Sequence, residues 1–169
     1  MPQYRFTTSW RLHGIPPEHI WEQIVPIEHI DWWKGVSFRR TCSRNKADKA
    51  GSTYNAVFHT KLPYTLAFNI TIVRISKPNR LEVRAAGQLE GRGMIWLQPT
   101  SNGTQLRCRW QVRTKKRWMN VMAPILKPAF IWNHKRMIES GARGLAKRLR
   151  NETPAKAVAS INKQAYSPH

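Results

Sequence analysis

The chain has 169 residues, with 29 Lys and Arg against 9 Asp and Glu, a formal charge of +20 at neutral pH. That length suits one domain able to bury about two thirds of its unfolded surface, and the charge makes a field attractive to phosphates, acidic lipids or acidic proteins. Cys42 and Cys108 lack metal-type spacing, as do His13, His19, His29, His59, His134 and His169, so no metal site or cofactor is expected and the cysteines read as reduced core thiols.

Tyr4, Phe6, Thr8, Trp10 and Leu12 alternate with Arg5, Thr7, Ser9 and Arg11, the period-two pattern of a strand with one buried and one wet face. The chain opens directly on this strand, without an apolar run of signal-peptide or membrane-span length, and a cytoplasmic location is expected. Pro16 and Pro17 stop the strand. Ile20, Trp21 and Ile24 then mark a short helix with Glu18 in its first turn and Pro26 at its end. A second short helix is predicted over residues 27–33, before Gly35.

Six strands follow, predicted over residues 36–44, 53–60, 64–75, 81–88, 90–98 and 104–113. Turn chemistry separates them at Lys49-Ala50-Gly51, Leu62-Pro63, Lys77-Pro78-Asn79 and Thr100-Ser101-Asn102-Gly103. Such short loops imply an antiparallel meander. In the last strand Leu106, Cys108, Trp110 and Val112 share one face while Arg107, Arg109, Gln111 and Arg113 share the other, so the outer surface of the sheet is basic there. Asn55 and His59 share a face with Val57, inner or outer. Glu90 is expected to pair with an arginine.

Residues 118–127, rich in Met and Pro, read as a connector into a long helix over residues 124–150. Phe130, His134, Met137, Ile138, Gly141, Ala142, Leu145 and Leu149 recur on one side of it, and Lys135, Arg136, Glu139, Arg143, Lys147 and Arg148 on the other. Gly141 and Gly144 each cost about 1 kcal/mol against alanine in a helix interior. A neighbour must therefore approach the backbone there, or empty space must be needed. At Gly141 the expectation is ligand space that a larger side chain would fill without loss of stability. Residues 151–169 lack a core pattern and are expected to form a flexible tail, leaving 1–150 as the domain.

The order strand, two short helices, six strands and long C-terminal helix is that of the helix-grip fold. It is an α+β architecture with a curved antiparallel sheet of about seven strands wrapped round the last helix. Trp10 and Leu12 before Pro17-Glu18-His19-Ile20-Trp21, then Trp32-Trp33-Lys34-Gly35-Val36, Gly87-Gln88-Leu89-Glu90-Gly91, Trp96 with Gly103-Thr104, and the 141–145 part of the helix carry a resemblance over about residues 3–150. On these residues the chain resembles the START-like polyketide cyclase/dehydrase and lipid-transport superfamily (SRPBCC). None of them is a catalytic signature. The resemblance implies an apolar cavity between sheet and helix that takes lipids, polyketides, isoprenoids or similar molecules. The chain would then be a carrier, chaperone or sensor, with a cyclase or dehydratase using the same cavity as the enzyme alternative.

Candidate ligand-binding residues are Phe58, Phe68, Trp110, Met122, Phe130, His134, Met137 and Gly141, which come from different elements and either line such a cavity or pack as core. His134 is the one candidate acid or base, its alternative being a satisfied structural histidine. Lys115, Lys116 and Arg117 directly precede Trp118, a pattern that suits contact with an anionic membrane surface, where the protein would be peripheral. Nucleic acid is the other polyanion, unaccompanied by an RNP, KH or helix-turn-helix pattern. A solvated face that keeps a basic protein soluble is the third reading.

Overall fold

A computed structural model describes residues 3–41, 48–115 and 117–152, without the side chains of residues 118–120, 122–126 and 152. Cys42, Lys116, the tail beyond residue 152 and the side chains of Trp118 and Met122 thus lie outside the described residues. In chain order the elements are β1 (Gln3–His13), α1 (Pro17–Ile24), a single 3₁₀ turn (Ile27–His29), β2 (Val36–Arg40), β3 (Thr53–His59), β4 (Thr65–Ser76), β5 (Arg80–Gly87), β6 (Leu89–Thr100), β7 (Gly103–Thr114) and α2 (Arg117–Glu152).

The strands form one seven-stranded sheet in the order β1-β7-β6-β5-β4-β3-β2, antiparallel at every pairing. β2 to β7 follow one another as an antiparallel meander. β1 joins at the far edge, running from Gln3 opposite Arg113 to His13 opposite Gly103. Alternation decides which face is which: Phe6 and Leu12 of β1, Phe68, Ile70 and Ile72 of β4, and Leu106 and Val112 of β7 are buried, while Arg11 of β1 and Arg107 and Arg109 of β7, between them, are exposed.

α2 closes the inner face with Ile138, Ala142, Leu145 and Leu149, all buried in the predicted phase, each large side chain contributing roughly 1.5–3 kcal/mol by leaving water. α1 has proline at its first helical position and buries Ile20, Trp21 and Ile24 on the same core. The fold is helix-grip-like, as the order of elements predicts.

Two segments differ from expectation. Residues 27–33 hold only the 3₁₀ turn, because the following tryptophans are recruited elsewhere: the indole N–H of Trp32 donates to the Gln23 carbonyl at 3.0 Å and that of Trp33 to the Met137 carbonyl at 2.9 Å. A continuing helix would not place both side chains at those partners. Gly35, in the left-handed region at φ +83°, then returns the chain to β2. The predicted connector over residues 118–127 is instead helical, since α2 begins at Arg117 and runs through Pro124 and Pro128. Proline removes one backbone donor and is costly inside a helix, yet does not forbid it; these two stand four residues apart, so their missing donors fall on one side.

Among the smaller expectations, Glu90 pairs with Arg113 at 3.0 Å and with Lys115. Asn55 lies on the outer face and donates across strands to Asn69 at 3.2 Å. Cys108 is a buried free thiol whose pKa burial pushes up to about 12, as suits a core cysteine.

Candidate functional site

Between the sheet and α2 lies a cavity of about 140 Å³. Phe58, Phe68, Trp110, Phe130, His134 and Met137, brought together from β3, β4, β7 and α2, line it along with Leu66, Leu89 and Val112. A second apolar space of about 110 Å³ adjoins it toward α1, and Trp33, Phe58, Phe68, Trp110 and Ile138 border both. These rings brace one another: Phe58 stacks on Phe68 with centroids 5.4 Å apart, Trp33 meets Phe58 edge-on at 5.7 Å, and Phe68 meets Trp110 edge-on at 6.5 Å. They form an aromatic partition between the two spaces.

Glycine shapes this partition twice. Trp110 sits directly opposite Gly93 on β6, and its ring occupies the place of a β-carbon there, which would fall 2.9 Å from the indole. On α2, a β-carbon at residue 141 would lie 2.8 Å from Trp33, and one at residue 144 would lie 1.9 Å from the Trp32 carbonyl oxygen. Gly141 therefore does not open on the first cavity. It borders the adjoining space instead, but the expectation that a larger side chain would fill free volume there is corrected: the helix glycines admit the Trp32-Trp33 turn, and the place of a β-carbon at residue 141 belongs to an indole.

The end of the cavity away from the partition carries its polar groups. Tyr4 stacks on Phe6 at 6.2 Å, and Phe6 stacks on the imidazole of His134 at 3.7 Å. The Tyr4 hydroxyl is buried with no hydrogen-bond partner among the described residues, and burial raises its pKa. Tyr64 is also raised by burial, against a side-chain hydrogen bond with Asn133 that lowers it. Asn133, 5 % exposed, accepts the Lys61 backbone N–H at 3.1 Å. Burial pulls His134 down to about 4, so at neutral pH it is an uncharged imidazole with one donor and one acceptor nitrogen. The cavity thus offers hydrogen bonds without net charge.

Tyr4, Tyr64, Asn133 and Trp33 were not anticipated as site residues. Tyr4 does carry a signal, a hydroxyl in the apolar phase of its strand. Asn133 lies beside the predicted apolar stripe of α2, and only the fold shows that Lys61 covers it. Of the basic candidates, Lys115 is engaged by Glu90 and Arg117 is exposed at the start of α2; the two do not meet the cavity lining. No described group of His, Cys, Asp and Glu has an arrangement for holding a metal ion. Among the described residues no helix is long and apolar enough to cross a membrane.

No family model matches the chain, and no curated protein is similar to it in sequence. Solved structures share its fold. TTHA0849 from Thermus thermophilus superposes with a TM-score of 0.71 at 15 % identity, over 90 % of this chain and 99 % of that one. A conserved protein from Geobacillus kaustophilus gives 0.62 at 14 % identity, over 89 % and 96 %. A Staphylococcus aureus protein of unknown function gives 0.59 at 10 %, over 87 % and 96 %. At these identities the likeness is one of architecture.

Proposed function

We propose that the chain binds a hydrophobic small molecule of lipid, polyketide or isoprenoid type between sheet and α2, and carries, shelters or senses it in the cytoplasm, as a member of the START-like superfamily its sequence resembles. The observation that carries this reading is the cavity of about 140 Å³, apolar along its walls and uncharged but polar at the Tyr4, Asn133 and His134 end. That volume resembles the roughly 150 Å³ that holds one benzene-sized ring. A longer ligand would turn the Phe58-Phe68 partition aside and extend into the adjoining space. The arrangement favours an amphipathic molecule, its polar group among the hydroxyl, amide and imidazole and its apolar part against the rings.

A cyclase or dehydratase would rest on His134. With a pKa near 4 the imidazole is a weak proton acceptor at neutral pH, where general acid–base catalysis works best with a group that titrates nearby. Binding is the favoured reading. Organic extraction of purified protein, followed by mass spectrometry, tests it directly, together with a naphthalene sulfonate dye. Leu89→Trp, which fills the cavity from β6, is expected to abolish cargo and dye binding while the protein still melts cooperatively. Unchanged dye binding in that variant would remove the cavity from the explanation.

A further inference from the structure

We infer that the outer face of the sheet binds single-stranded nucleic acid through its phosphate backbone. The evidence is an array of arginines set by strand register. Arg5 of β1 lies opposite Gln111 of β7, Gln111 opposite Arg92 of β6, and Arg92 opposite Arg84 of β5. With strands about 4.8 Å apart, this row crosses roughly 14 Å of exposed sheet. Arg107 and Arg109 of β7 extend it along the strands on the same face, and all five guanidinium-bearing residues are exposed.

This placement opposes the fold's own interest. Like charges directly opposite on neighbouring strands destabilise a sheet, and Arg84 faces Arg92. The carboxylates of this face are engaged elsewhere, Glu82 with Arg80 and Glu90 with Arg113 and Lys115. Among the described residues Arg5, Arg84, Arg92, Arg107 and Arg109 form no ion pair. An anion between strands relieves the repulsion. The guanidinium fork binds phosphate oxygens in pairs, which a lysine cannot do, and a chain of phosphates matches a row of forks better than a single ion.

Trp96 decides between polyanions. Its half-buried ring lies within the array, with the guanidiniums of Arg80 and Arg109 at 5.9 and 5.7 Å from its centroid. An aromatic surface amid arginines on an open sheet is a platform on which unpaired bases stack. A membrane contact instead needs projecting apolar anchors. Among the described residues the exposed large apolar side chains are Val73, Val121 and Trp132; the last two belong to α2, and on the sheet only Val73, at the β4 bulge, projects.

The test is fluorescence anisotropy of the full chain with a labelled single-stranded oligoribonucleotide, repeated at several salt concentrations. Log affinity should fall linearly with log salt, losing roughly 0.7 of slope per phosphate neutralised, so that four contacts give a slope of about −3. Arg84→Glu places a carboxylate opposite Arg92; it should hold or raise the melting temperature while weakening RNA binding about ten-fold or more and lowering the slope. Trp96→Ala should weaken binding about ten-fold with the slope retained. Undiminished affinity in Arg84→Glu would overturn the proposal. So would salt-sensitive binding to phosphatidylserine vesicles that RNA does not displace, which would make the face a membrane contact.

Discussion

The indole N–H of Trp33 donates to the carbonyl oxygen of Met137 at 2.9 Å, and the same ring lies against the bare backbone of Gly141 one turn further along α2. One side chain thus caps a carbonyl and fills the hollow beside it. Gly141→Ala gains up to about 1 kcal/mol of helix propensity but drives a methyl group to 2.8 Å from the indole. A net loss of roughly 1–2 kcal/mol is expected in urea denaturation, and a larger one for Gly141→Leu. Gly144→Ala should be worse than Gly141→Ala, because the obstacle is the Trp32 backbone carbonyl instead of a side chain. Equal stability of all three with the parent would show that the tryptophan turn moves freely.

Tyr4 supplies a second test. Its buried hydroxyl, without a partner among the described residues, is a group whose removal relieves a desolvation penalty of about 1 kcal/mol or more. Tyr4→Phe should therefore melt at the same or a higher temperature than the parent. If the hydroxyl serves the ligand, the variant should also hold an amphipathic cargo less tightly, by about five- to ten-fold. Thermal melts and equilibrium binding separate the two effects, and a destabilised Tyr4→Phe would contradict the burial described here.

His134 makes stability depend on pH. Its folded pKa of about 4 lies below the ordinary histidine value of 6.5, so between these pH values the unfolded chain binds the proton that the folded chain refuses. Stability is complete above pH 6.5 and falls as pH drops toward 4, by on the order of 3 kcal/mol if this group acts alone. His134→Gln removes the titrating group, and its urea midpoint should change less over that window. A parent midpoint flat from pH 6.5 to 4.5 would mean that the imidazole takes up its proton in place.

The sequence carried much of this architecture because its strongest signals are periodic. Alternation from Tyr4 to Leu12 and from Leu106 to Val112 assigned faces to the two strands that meet at the end of the sheet, and the spacing of Ile138, Ala142, Leu145 and Leu149 assigned the buried side of α2. What stayed hidden depends on contacts between distant segments. Trp33 and Met137 are 104 residues apart, and no local pattern announces that an indole will end the 3₁₀ turn and fill a glycine hollow. The same holds for Trp110 over Gly93 and for Asn133 covered by Lys61. The Met- and Pro-rich residues 118–127 read as a connector because propensity is local, whereas α2 runs through them from Arg117.

The sheet order has a consequence for how the chain is made. β1 leaves the ribosome before the other six described strands, yet it pairs with β7, the last of them, with Gln3 waiting for Arg113. At about 5–20 residues per second, that interval is roughly 5–20 s of synthesis. During it the β2-to-β6 meander can zip from neighbouring hairpins, while the alternating segment around Phe6 and Trp10 has no strand to pair with. Late docking of β1 closes the register and covers the edge of β7, so β1 stays unpaired while the meander forms, and Arg5 and Arg11 act as gatekeepers against its premature association.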